Sequence, residues 1–163
     1  MPSAKGALSS VILYLWFFLV SCEVYGVELI SLDPGITLIL DPKSGSEVVA
    51  IQIWVKVGSK YEKNEYAGIT HFIEHLIFKG SQRLKPNEIS SRIESLGGSI
   101  NAFTSYENTV YHVVIPKDSY EEAFSLLCDA VINPSFPEEE IEKEKRVVLE
   151  EIKMGEDDPL KKL

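Results

Sequence analysis

The chain has 163 residues, 45% of them hydrophobic and 25% charged, which fits one folded domain and argues against disorder. Its formal net charge of -9 argues against a nucleic-acid partner, because such binding relies on cationic side chains neutralising phosphates and no basic cluster is present. Much of the acidity lies after Pro137, in Glu138, Glu139, Glu140, Glu142 and Glu144. Lys143, Lys145 and Arg146 are interspersed there, the pattern of a solvated helix face.

In chain order, Lys5 precedes an apolar run from Val11 to Val20 with the charge, length and position of a secretory signal core, too short for a membrane span. Leu19-Val20-Ser21-Cys22 resembles the bacterial lipoprotein box, in which the cysteine becomes the lipidated mature N-terminus. Cleavage near Gly26 and an uncleaved anchor are the other two readings. All three export the protein, to the periplasm, to a membrane-anchored state or to the medium, with membrane contact only through that anchor or lipid. Residues 1–26 are accordingly set apart from a domain spanning 27–163. With Cys22 lipidated or removed, Cys128 has no disulfide partner, and its apolar setting without a flanking His or Lys suits a small buried hydrophobe.

Asp33-Pro34-Gly35 predicts a turn and Ile36 to Leu40 a strand. Val49, Ile51, Ile53, Val55 and Val57 alternate with Ala50, Gln52, Trp54 and Lys56, the period of a strand with one buried face. A helix follows, with Thr70 as its expected cap, Ile69, Phe72, Ile73, Leu76 and Ile77 as its apolar side and Gly80 as its end. Ile89, Ile93 and Leu96 predict a second helix, from Pro86 to Leu96, stopped by Gly97-Gly98. Two strands, Ser99 to Phe103 and Thr109 to Ile115, are then joined through Tyr106-Glu107-Asn108 as a hairpin. Ser119 and Glu122 have capping-box spacing ahead of a buried stripe of Ala123, Phe124, Leu127, Ala130 and Val131, broken at Asn133-Pro134. A last helix opens at Pro137 and runs through Ile141, Val148 and Ile152 to about Met154. This order predicts an α+β fold, helices on a mixed, largely antiparallel sheet.

The segment His71-Phe-Ile-Glu74-His75 carries the chemistry. Helix positions four apart stack about 6 Å along the axis, so the two imidazoles can converge on one ion. Glu74, on the same turn, is placed to take a proton from water held there. Exposed polar histidines are the bland alternative, but the pattern arises by chance in about one percent or fewer of chains this size, since histidine is uncommon. A tetrahedral zinc needs one more protein ligand and an open position. Spacing alone leaves Glu144, Glu150 and Glu151 open for that role. Glu144 and Glu151 are seven apart and share a face, so one can ligate while the other hydrogen-bonds a histidine.

From about Val48 to Pro159 the chain resembles the pitrilysin/insulinase family, which includes insulin-degrading enzymes, the mitochondrial processing peptidase and many bacterial processing proteases. The resemblance rests on His71-Phe-Ile-Glu74-His75, on Gly97-Gly98-Ser-Ile-Asn101-Ala102-Phe103-Thr104 with Glu107 and Tyr111, and on Glu144-Lys-Arg-Val-Val-Leu-Glu150-Glu151-Ile. It implies that His71, His75 and Glu151 bind one Zn2+, that Glu74 is the general base and that Glu144 supports the site. It also implies that Asn101, Ala102, Phe103 and Thr104 form an edge along which an extended peptide adds as a strand. His112 is expected to be structural.

The function so implied is a zinc metalloendopeptidase acting on extended peptides or protein segments. Family members continue past the equivalent of Leu163 into the rest of this domain and a second half. The chain is therefore expected to be an incomplete metallopeptidase half-domain that works with that second half or a partner subunit. A non-catalytic partner subunit is the first alternative, although its usual mark, a degraded metal motif, is not seen. An exported binding module with a chance motif is the second.

Overall fold

The computed structural model describes residues 26–32 and 35–157. The apolar run at 11–20, Cys22, and Asp33 and Pro34 of the expected turn lie outside the described residues. The chain divides into two compact units between Ser46 and Glu47. Among the described residues no helix is long and apolar enough to cross a membrane.

The first unit contains an antiparallel hairpin of β1 (Glu28–Leu32) and β2 (Ile36–Leu40), with Glu28 opposite Leu40 and Leu32 opposite Ile36. The second strand is the one the sequence predicts. The first was not foreseen, because Glu28-Leu-Ile-Ser-Leu32 lacks clean alternation and is defined by its partner.

The second unit holds a three-stranded antiparallel sheet of β3 (Val48–Val55), β4 (Ser99–Thr104) and β5 (Thr109–Pro116), in the order β3-β5-β4. Its helices are α1 (Ile69–Ile77), α2 (Glu88–Ser95), α3 (Tyr120–Ile132) and α4 (Glu138–Asp157). This is the expected α+β arrangement, helices on one face of an antiparallel sheet. Central β5 supplies Tyr111, Val113 and Ile115 to the core, joined by Val49, Ile51, Ile53 and Val55 from β3 and by Ile100 and Ala102 from β4. Ile77, Ile89, Ile93, Ala123, Leu126, Leu127 and Ala130 of the helices cover that face. Each fully buried Ile, Leu or Val of this layer is worth about 1.5–3 kcal/mol against remaining exposed. The sheet runs close beneath the turn into β4. A Cβ at Gly98 would lie 2.4 Å from Ile115 Cδ1 and 2.7 Å from the Val114 carbonyl, so only glycine fits there.

Several local expectations are corrected. Val57 is exposed and lies beyond the end of β3, where its carbonyl accepts a hydrogen bond from Thr109 Oγ1. The Ser119 capping box does not form, because a 3-10 turn at Lys117–Ser119 leads directly into α3. Phe124 faces solvent and Leu126 takes its place on the buried stripe. Helix α4 continues through Gly155 to Asp157, glycine being a weak stop inside a strongly helical run.

A buried carboxylate fastens the loop after α1. Asp129 of α3 accepts hydrogen bonds from Ser81 Oγ (2.5 Å), Arg83 Nε (3.0 Å) and Asn133 Nδ2 (3.2 Å). Ser81 Oγ in turn accepts from the backbone N–H groups of Arg83 and Leu84. These bonds, that from Ser81 foremost, hold the Asp129 carboxyl below its ordinary value of 3.8. Its stabilising contribution is therefore complete above about pH 4 and is lost as pH falls through the lower folded value. The Arg83 arm is mostly exposed and screened, which leaves the enclosed Ser81 arm as the stronger. Asp129→Asn is expected to cost about 2 kcal/mol near neutral pH, the usual worth of a hydrogen bond to a charged group. Thermal melts should show the gap between variant and wild type narrowing as pH falls below the ordinary carboxyl value and through the lower folded one.

Candidate metal centre

Helix α1 begins at Gly68, whose φ of +89° is left-handed backbone suited to glycine. The cap comes from a distance. The Glu62 carboxylate accepts the N–H of Gly68 at 2.7 Å and of Thr70 at 2.8 Å, while Thr70 itself is buried in the first turn and does not cap. Burial works against the charged form of Glu62, but the Gly68 and Thr70 bonds hold its carboxyl below the usual range. A carboxylate at this end also complements the helix dipole.

One turn on, His71 and His75 bring their Nε2 atoms to 3.2 Å from each other. Helix α4 crosses α1 and delivers Glu151, whose Oε2 lies 3.6 Å from His75 Nε2 and 3.9 Å from His71 Nε2. Of the three acidic candidates on α4, Glu151 is thus the one in a triangle with both imidazoles. Glu150 is exposed and outside it. A tetrahedral ion with bonds of about 2.0–2.1 Å sets its ligand atoms about 3.3–3.4 Å apart, and the three observed edges bracket that value. The donor set, two imidazoles and a carboxylate, is one that zinc takes when a position is left for water.

Glu144 stands behind His75. Its Oε2 is 3.2 Å from His75 Nδ1 and its Oε1 is 2.8 Å from Lys79 Nζ. A carboxylate beside Nδ1 makes that nitrogen the proton carrier, which leaves the Nε2 lone pair facing His71 and Glu151. Burial opposes ionisation of Glu144, but the Lys79 and His75 bonds keep its carboxyl below the usual carboxylate range.

Glu74 occupies the same turn as the histidines and lies outside the triangle. Thr104 Oγ1 donates to Glu74 Oε2 at 2.5 Å, so the last residue of β4 orients this carboxylate. Tyr111 sits nearby, and burial together with the Glu74 charge pushes its phenol up to about 12. Strand β4 pairs with β5 alone among the described residues, which leaves its other edge open. Asn101 Oδ1 accepts the Ala102 N–H on that strand, and Phe103 is half exposed on the face away from the helices. His112 lies on β5 between Gln52 and Asn101, beside the Phe103 ring and apart from the triangle.

Two clefts flank α1. The larger, ≈ 560 Å³ and mainly apolar, follows the Ile69 and Ile73 side and contains neither imidazole. The smaller, ≈ 290 Å³, is lined by Glu74, His75, Phe78, Asn101, Ala102 and Glu144, and joins the histidine helix to the open strand. Of the two, the smaller carries Glu74, His75 and Glu144 on its wall. The roles of Lys79 and Glu62 were not foreseen from sequence, nor was the bond from Thr104, expected only on the peptide-binding edge, to Glu74. Of these only Lys79, four residues past His75, left a usable signal.

A model of the insulinase family, peptidase family M16, matches residues 38–163. The chain belongs to the insulinase family of peptidases. An uncharacterised zinc protease of Bacillus subtilis (strain 168) is 40% identical over 125 residues, which are 77% of this chain and 31% of that protein. The mitochondrial-processing peptidase subunit beta of Dictyostelium discoideum is 38% identical over 125 residues, 76% of this chain and 26% of that subunit. The crystal structure of a protease from Helicobacter pylori superposes with a TM-score of 0.80 at 28% identity, covering 86% of this chain and 34% of that one. This insulinase-family chain spans between about a quarter and a third of the length of these curated relatives.

Proposed function

We propose that the protein carrying this chain is a zinc-dependent metalloendopeptidase that hydrolyses peptide bonds of extended peptides or protein segments. The observation that carries the proposal is the triangle of His71 Nε2, His75 Nε2 and Glu151 Oε2, with Glu74 on the same turn and outside it. In this reading His71, His75 and Glu151 are the metal ligands. Glu144 holds His75 through Nδ1. Bound zinc would lower the pKa of its water and polarise the scissile carbonyl. Glu74, steadied by Thr104, accepts a proton from the attacking water and returns it to the leaving amine. The open edge of β4, from Asn101 to Thr104, holds the peptide by main-chain hydrogen bonds, which tolerate many side chains.

Because the chain spans only about a quarter to a third of these relatives, the proposed enzyme includes further sequence that completes the substrate clamp, as a second half or a partner subunit. The Dictyostelium relative is itself named a subunit, which supports the latter form. Export of the protein through the apolar run at 11–20, with lipidation at Cys22, cleavage near Gly26 or an uncleaved anchor, belongs to the same proposal.

The test is made on the full-length protein. Elemental analysis is expected to find one zinc per site, and cleavage of an unstructured peptide should disappear with a chelator and return with zinc. Zinc without cleavage, even with its partner supplied, would identify a non-catalytic subunit. Absence of zinc would defeat the metallopeptidase reading.

A further inference from the structure

We infer that Lys79 is a positioning residue for the metal centre, its ammonium group fixing the Glu144 carboxylate that orients His75. The inference rests on the proposed metal role of His75 and extends it to a residue outside the ligand set. Lys79 lies just past the end of α1, where its backbone N–H bonds the Leu76 carbonyl. It is one helical turn beyond His75, so both side chains approach α4 from the same side. Glu144 is 8% exposed, and its two oxygens have separate partners, Lys79 Nζ on Oε1 and His75 Nδ1 on Oε2.

A carboxylate held at one oxygen can still turn about its last bond; held at both, its plane is set. Lys79 also brings a full positive charge to this enclosed anion. Removing the ammonium therefore leaves a buried carboxylate without its counter-charge. Glu144 then has reason to turn toward water, loosening the bond that aims His75 Nε2 at His71 and Glu151. The position of Lys79 is itself secured. Two residues on, Ser81 is tied to the buried Asp129 of α3, so the turn carrying Lys79 is anchored to the helical layer.

A purely structural ion pair between α1 and α4 would make a different prediction. Its loss would lower thermal stability of the metal-free protein and leave zinc affinity unchanged. A positioning role shifts affinity instead, because groups behind a metal ligand typically govern it by about 10–100-fold.

The experiment measures zinc dissociation constants by chelator competition on the full-length protein, with melts of the metal-free forms. Lys79→Met, which keeps the aliphatic stem, is expected to weaken zinc binding about tenfold. Lys79→Arg should recover most of that loss. In a Glu144→Gln background Lys79→Met should add less than about twofold, since its path to the metal has been cut. Should Lys79→Met fold poorly, Lys79→Gln, also uncharged, takes its place in both backgrounds with the same expected outcomes. Unchanged zinc affinity in Lys79→Met, or an undiminished effect in the Glu144→Gln background, overturns the inference while the metallopeptidase reading stands. A wild-type protein that binds no zinc overturns both.

Discussion

Glu74→Gln is expected to reduce peptide hydrolysis by about 10²–10⁴-fold, the usual contribution of a positioned general base, with zinc content unchanged. The two side chains have the same shape, and the glutamine carbonyl can accept the Thr104 hydrogen bond that Glu74 Oε2 accepts. What is lost is the ability to take a proton. Zinc should remain, because Glu74 is not among the three groups whose ligand atoms lie within 4.8 Å of one another. Peptide-cleavage rates with a chelator control, beside zinc analysis of the same sample, provide the check. Full turnover by a zinc-loaded Glu74→Gln protein would remove Glu74 from the chemistry.

His71→Ala is expected to produce the opposite separation, losing metal first and activity with it. Removal of one imidazole leaves His75 and Glu151, which close only one edge of the triangle, at 3.6 Å. If the roughly 10–16 kcal/mol of a structural zinc site is shared over its four ligands, one ligand is worth about 10²–10³-fold in affinity. Wild-type protein should gain thermal stability on addition of zinc and the variant should not, since a ligand that binds only the folded form raises its midpoint. The metal-free variant should melt within a few degrees of metal-free wild type, because His71 is 42% exposed and lies outside the core. A His71→Ala protein that retains wild-type zinc affinity would take this imidazole out of the ligand set.

Relative positions on one element could be read directly. His71, Glu74 and His75 fall within a nine-residue helix, so their spacing alone places them together. The strand of Val49, Ile51, Ile53 and Val55 and the helix of Ile89 and Ile93 were equally plain, because burial on one face leaves a period of two or of 3.6 in the residues. Predictions of detail at element ends fared worse. Thr70 and Ser119 have good capping chemistry, yet Glu62 caps α1 from outside and a 3-10 turn displaces the box at Ser119. Unpaired N–H groups accept whichever oxygen the surrounding chain brings, and a local motif cannot exclude a competitor from elsewhere.

By itself the sequence determined that two imidazoles and a carboxylate share one helical turn, and that an acidic helix follows much later. Spacing left open which members of that acidic helix meet the histidines, the family resemblance implied Glu151 with Glu144 in support, and only the tertiary structure supplies the contacts themselves. Glu151 joins the triangle, Glu144 lies behind His75 across 69 positions of sequence, and Glu150 stays outside the triangle. Thr104 meets Glu74 across a separation of 30, and the Lys79 contact with Glu144 depends on the same crossing of α1 and α4. The physical reason is that periodicity specifies a side chain's direction about its own axis. Distance between two axes is set by the core they bury together.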